Sequence, residues 1–210
     1  MLSFNAVHTL TESLLAVDAR VDRLGWGRPP RLLLVQDRPA PAEPRCGRRQ
    51  MRTVHLPLNP ARIGRYRAGL ADFLTDLTDA LPAGRPPARP TLAACVDLHL
   101  ITTLLTDPTP GLRLLAWALD YEDVLIEPKR LHEVRRIDAV DSDHRRYQVT
   151  RWRTAPHITV DIDEHDTDQA IHTALATLVD TTRLDPRAPT TAWPPVATNN
   201  HSPRRPRLEA

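Results

Sequence analysis

The densest set of side chains able to do chemistry is the run Asp161-Ile162-Asp163-Glu164-His165-Asp166-Thr167-Asp168, with His172 shortly after it. Alternation at a strand end points Asp161 and Asp163 to the same side, and Asp168 and His172 stand four apart on the helix expected next. Carboxylate oxygens and imidazole nitrogens so arranged suit a divalent cation. Asp161, Asp163, Asp168 and His172 are therefore the candidate metal ligands. The run is not an EF-hand loop, because it lacks the turn glycine and the closing bidentate glutamate. A plainer account is a helix start. Asp166 with Gln169 fits a cap, and each acidic residue there gains about 0.3–1 kcal/mol from the helix dipole.

A second set is basic and aromatic. Arg135, Arg136, Arg145, Arg146, Arg151 and Arg153 fall in one stretch with Tyr147 and Trp152. Arginines and rings sharing one sheet face hold phosphates and stack bases. Strand alternation, however, sends Arg145 and Tyr147 to one face and Arg146 and Trp152 to the other. Asp138, Asp141 and Asp143 lie close enough to pair across the same hairpin, giving a solvated, salt-bridged face as the simpler reading. Further positive charge sits outside the hairpin. Gln36–Arg52 carries Arg38, Arg45, Arg48, Arg49 and Arg52 against Asp37 and Glu43, a balance of +3. From Pro186 onward, Arg187, Arg204, Arg205 and Arg207 stand against Glu209, again +3, which leaves −4 on the rest of a chain of net charge +2. Arms of this kind bind polyanions. The candidate nucleic-acid contacts are thus Arg45, Arg48, Arg49, Arg145, Arg146, Tyr147, Trp152, Arg204, Arg205 and Arg207. Lys129 is the sole lysine among 28 basic residues, a bias that fits a GC-rich genome, so the number of arginines is not itself a signal.

The sequence contains no GxSxG, HExxH, P-loop or GxGxxG pattern, and seven glycines leave little room for a phosphate cradle. Tyr121-Glu122-Asp123, at a strand end, offers an acid or base but is equally a polar turn. His8, His55, His99, His132 and His157 show no ligand spacing. Cys46 and Cys95 are too few for a disulfide framework; Cys95 belongs to an apolar helix pattern and Cys46 to a basic loop. A reducing cytoplasm is the expected setting. The N-terminal stretch has no basic leader pattern, and no apolar run approaches the ~20 residues of a membrane span.

The elements that must position these residues are separated by proline. Its 21 occurrences, about twice the usual share of ~5%, cluster at joints rather than within periodic segments. Val7, Leu10, Leu14, Val17, Val21 and Leu24 predict a helix from Thr9 to Leu24, with Thr9 and Glu12 as a capping box and Gly25 as the stop. Arg31–Gln36 reads as a buried strand and Met51–Leu58 as a half-buried edge strand with Pro57. The segment 37–50 between them reads as a mobile connection. Leu70, Phe73, Leu74, Leu77 and Leu81 mark a helix, and Thr91–Thr106 another, whose apolar face is Leu92, Cys95, Val96, Leu100 and Leu104.

Leu112–Ile126 is the longest Gly- and Pro-free apolar run. Val134–Arg153 reads as a hairpin turning at Asp141-Ser142-Asp143-His144, followed by a strand over His157–Ile162 and a helix over Thr167–Arg183. The order predicts one α+β domain over residues 1–185, an antiparallel or mixed sheet with helices packed mainly on one face. Residues 186–210, poor in aliphatics, read as a disordered tail.

The segments GWGRPPRLLLV, LLAWALDYEDV and EVRRIDAVDSDHRRYQVTR, in that order, resemble uncharacterised proteins of actinobacteria and their mobile elements. The resemblance implies a GC-rich bacterial or phage origin and carries over no functional residues. The expectation is a small cytoplasmic binding or accessory protein that acts through a protein partner, needs no cofactor and does not engage a membrane. The alternatives are a nucleic-acid-binding accessory protein using the basic loop and tail, and a metal-dependent enzyme using the 161–172 cluster.

Overall fold

A computed structural model of the chain describes residues 1–40, 49–66, 69–81, 90–127, 130–155, 157–163 and 170–183. The first helix, α1 (Phe4–Asp22), starts before the predicted capping box, because Ser3 takes the extended cap conformation and its Oγ accepts from the amide of Ala6. Thr9 therefore lies inside the helix and donates to the carbonyl of Asn5. The predicted stripe holds: Leu10, Leu14, Val17 and Val21 are buried, while Leu24 lies past the helix end and is exposed.

Strand β1 (Arg31–Pro39) pairs with β2 (Arg49–Pro57), and both run into the segment read from sequence as a connection. That segment is shorter than predicted because Asp37, Arg38 and Pro39 find cross-strand partners in Met51, Gln50 and Arg49. Its remainder, 41–48, lies outside the described residues, as does the 186–210 tail. After the short α2 (Pro60–Ile63) comes α3 (Leu70–Ala80), where predicted. The single helix expected over Thr91–Thr106 is two, α4 (Pro90–Cys95) and α5 (Leu98–Leu105). Asp97 causes the break: it adopts the extended cap conformation and accepts from the Leu100 amide at 2.9 Å, restarting the helix.

The rest is β3 (Arg113–Glu127), β4 (Arg130–Asp141), β5 (Arg146–Trp152), β6 (Ile158–Asp163) and α6 (Ala170–Thr182). The β4–β5 turn forms where predicted. The Asp141 carboxylate accepts from the amides of Asp143 at 2.8 Å and Arg145 at 3.0 Å, and His144 takes φ 65°. All pairings are antiparallel, in the order β2-β1-β3-β4-β5-β6.

The sheet has helices mainly on one face, making an α+β fold. On that face α2, α3, α4, α5 and α6 cover Leu32, Leu34, Leu56, Trp117, Leu119 and Val140. The Trp117 indole, fully buried, donates to Thr182 Oγ1 at 2.8 Å. Helix α1 lies on the other face, over Leu33, Val35, Ala118, Ile137, Ala139, Tyr147 and Val149. No helix among the described residues is long and apolar enough to cross a membrane.

Candidate functional site

Strands β3 and β4 outrun their neighbours. Strand β1 accompanies β3 only as far as Asp120, and β5 accompanies β4 only back to Val134. Beyond those points residues 121–127 and 130–133 continue as a two-stranded arm in which Val124 faces Glu133 and Ile126 faces Leu131. Directly opposed residues of an antiparallel pair share a face, so Val124, Ile126 and Leu131 form one apolar row on the α1 side. They are 48%, 82% and 71% exposed, a concentration of uncovered aliphatic surface on one small ribbon.

The base of the arm is held from both sides. On the α1 side, Glu122 Oε1 accepts from the amides of Gly27 at 2.7 Å and Arg28 at 3.1 Å. Gly25 and Gly27, at φ 82° and 79°, make the left-handed turns that present those amides and place Trp26. The guanidinium of Arg135, itself buried, stacks on the Trp26 ring at 4.6 Å and donates to the Gly25 carbonyl at 3.1 Å. On the opposite face the Trp152 ring meets His132 at 5.1 Å and His157 at 5.9 Å, two histidines that sequence spacing did not connect. Asp123 pairs with Arg136 at 3.4 Å.

Tyr121-Glu122-Asp123 is thus mid-strand rather than a strand-end turn. Its three polar groups are committed to the arm's base, where Tyr121 Oη donates to the buried Asp138 carboxylate at 2.6 Å. Burial, then Asp138, pushes the Tyr121 hydroxyl far above its ordinary pKa, which suits a hydrogen-bond donor and not a base.

The structure brings three of the four candidate metal ligands around one cavity of about 270 Å³. Asp161 faces Gln148, Asp163 faces Arg146, and His172 enters from α6. Asp168 lies outside the described residues, as does the Asp166–Gln169 cap. His172 is 3% exposed, and its Nε2 stands 3.7 Å from Asp138 Oδ1, which already accepts from Gln148 Nε2 at 2.9 Å. Burial lowers the His172 pKa, against the pull of Asp138, and Arg146 and Arg136 lower it further. Among the described residues no three His, Cys, Asp or Glu side chains are placed to hold one metal ion. Arg146 lies directly across from Asp163, so the cavity's lining carries a cation of the protein's own.

Among the described residues, the candidate polyanion contacts do not form one surface. Arg45, Arg48, Arg204, Arg205 and Arg207 lie outside the described residues. Arg49 pairs with Asp37 and donates to the Gly111 carbonyl at the β1–β3 end. Arg145 stands 3.8 Å from Asp141. Tyr147 is fully buried on the α1 face and donates to Asp141 at 2.8 Å, so its ring has no free face for a base. Arg146 and Trp152 point to the α6 side, as alternation predicts. Val124 and Ile126 escaped the sequence reading because they sit inside the run Leu112–Ile126, Leu131 because it falls between predicted elements, and nothing local marks where the neighbouring strands stop. No family model matches the chain, and neither a curated protein nor a solved structure is found to be similar to it.

Proposed function

We propose that this chain is a non-catalytic binding protein that takes a protein partner on the β3–β4 arm. The observation that carries the reading is the row Val124, Ile126 and Leu131, exposed together on a ribbon that extends past the sheet. Leaving three aliphatic side chains in water forgoes burial worth roughly 1.5–3 kcal/mol each. The fold nevertheless keeps them on a paired ribbon whose base is anchored on both faces. A pre-ordered ribbon loses little entropy when it docks, so that burial is recovered almost intact in a complex. The Glu133–Arg153 pair beside the row supplies the polar rim usual around an apolar contact centre.

The test is site-specific photocrosslinking in the producing cell, with a photoreactive residue at position 126, at 131, or at Thr75 on the exposed side of α3 as control. The expected result is one and the same protein captured from 126 and 131 and absent from 75. With that protein purified, Ile126→Asp should weaken binding at least tenfold, the scale of an interface hot spot. Capture equal to the control, or an affinity unchanged by Ile126→Asp, overturns the reading.

A further inference from the structure

The two edges of the sheet are unlike. Strand β2 is blunted: Pro57 offers no amide donor, Arg49 and Arg52 lie along the strand, and Thr53 is hydrogen-bonded to Ser13 of α1 at 2.9 Å. Strand β6 has neither proline nor a basic residue, and no strand among the described residues pairs with its outer side. Its α1-side row is Ile158, Val160 and Ile162. These continue the apolar face of β5, where Val149 and Tyr147 are buried opposite Val160 and Ile162. Helix α1 packs across the sheet as far as β5, and Val160 and Ile162 beyond it remain 38% and 45% exposed. An open edge with an uncovered apolar row invites another strand.

The β6 sequence itself indicates which strand. His157-Ile158-Thr159-Val160-Asp161-Ile162-Asp163 is self-complementary when paired antiparallel about a two-fold axis at Val160. On the α1 side, Ile158 would face Ile162 of the partner subunit and Val160 would face its own copy, giving an unbroken aliphatic ladder. On the other side, Thr159 would face Asp161 of the partner subunit, a hydroxyl donor against a carboxylate. His157 would face Asp163 of the partner subunit, again a donor against a carboxylate. Shifting the axis to Asp161 instead sets two carboxylates directly opposite, which is destabilising. Shifting it to Thr159 leaves Ile162 without a partner.

We infer that β6 pairs with β6 of a second copy, in the register centred on Val160, to make an isologous dimer with one continuous antiparallel sheet of twelve strands. A two-fold axis makes each favourable pair occur twice, so a six-residue strand supplies a full set of contacts. One term opposes association. The two Asp161 carboxylates lie diagonally across the axis on the same face, so added salt should tighten the dimer by screening them.

The test uses the full chain with Cys46→Ser and the buried Cys95 left in place. Sedimentation velocity from about 1 to 500 μM should show a monomer–dimer equilibrium that strengthens with sodium chloride, with no larger species. Under mild oxidation Val160→Cys should cross-link to itself, because facing residues in an antiparallel pair fall within the ~4.4–6.8 Å Cα separation a disulfide accepts. Thr159→Cys and Asp161→Cys should each stay unlinked alone and link when mixed. Val160→Lys, at a half-exposed position, should melt with the parent and weaken dimerisation at least tenfold. A chain still monomeric at the highest concentration overturns the inference. So do self-linking of Thr159→Cys as efficient as that of Val160→Cys, or a Val160→Lys variant that dimerises like the parent.

Discussion

The two faces of the sheet are covered by different means. Five helices share the face that holds Trp117, and their apolar side chains make one broad core with Leu32, Leu34, Leu56 and Leu119. Among the described residues, the other face has α1 alone. Its stripe of Leu10, Leu14, Val17 and Val21 covers the middle strands, and charge fixes its C-terminal half. The Asp18 carboxylate, almost fully buried, is gripped by Arg151 through contacts of 2.6 to 3.1 Å. Asp22 reaches Arg151 at 3.2 Å and Arg135 at 3.6 Å, and Asp120 pairs with Arg31 nearby. Burial is the main influence on Asp120, and it raises the pKa despite Arg31 and Arg135. A single helix can slide over a flat apolar surface, whereas a bidentate ion pair admits one position. Area holds the first face; geometry holds the second.

The largest expected effect sharpens this contrast from the well-covered side. Trp117→Ala should cost about 3–5 kcal/mol in denaturant unfolding, since it opens a large cavity under α6 and removes the donor to Thr182. A loss below about 1 kcal/mol would mean that the five-helix face is loosely packed and that the contrast has no basis.

Next in size is the ion pair. Asp18→Ala should cost about 3 kcal/mol by leaving the Arg151 guanidinium without its main partner, because breaking a buried pair is worse than replacing it. The double change Asp18→Leu with Arg151→Met should recover most of that stability while releasing the helix position. The readout is unfolding free energy together with amide exchange along α1. If Asp18→Ala is nearly neutral, the apolar stripe alone holds α1 and the two faces are alike.

The smallest effect probes the polar end of the α6 face. His172 has its pKa lowered by burial, with Asp138 opposing and Arg146 and Arg136 adding to the shift. The unfolded chain therefore takes up a proton near the ordinary value of ~6.5 before the fold does. The stability His172 contributes as a neutral group is complete above that pH and is lost as pH falls through its lower folded pKa. His55 is shifted in the same direction, by burial first and then Arg31 and Arg20, so it adds to the fall. Melting temperature should drop between pH 7 and pH 5.5, and His172→Gln should flatten part of the slope. An unchanged slope would show that α6 does not seal this end as it seals Trp117.

Much of the fold was legible because much of it is local. The spacing of Leu10, Leu14, Val17 and Val21 is a property of one helix, and the Asp141–His144 turn is set by the hydrogen bonds of a single aspartate. The same holds for alternation in β5 and β6, which correctly sent Asp161 and Asp163 to one side. Where local signals competed, the reading failed. Ser3 displaced Thr9 as the cap of α1, and Asp97 broke a helix whose apolar pattern runs straight through it.

What the sequence determined by itself is the set of elements and the apolar side of each, since both follow from periods of two and 3.6 residues along one segment. Only the tertiary structure decided that α1 lies across the sheet from the other helices, that Tyr147 is buried, and that Arg49 and Arg145 meet carboxylates. It also decided that β3 and β4 outlast β1 and β5, turning part of an apolar strand into an exposed arm, and that β6 has no strand on its outer side among the described residues. Exposure at Ile126 or Val160 depends on where other strands stop. That is set by pairings between residues far apart in the chain, to which no local period responds.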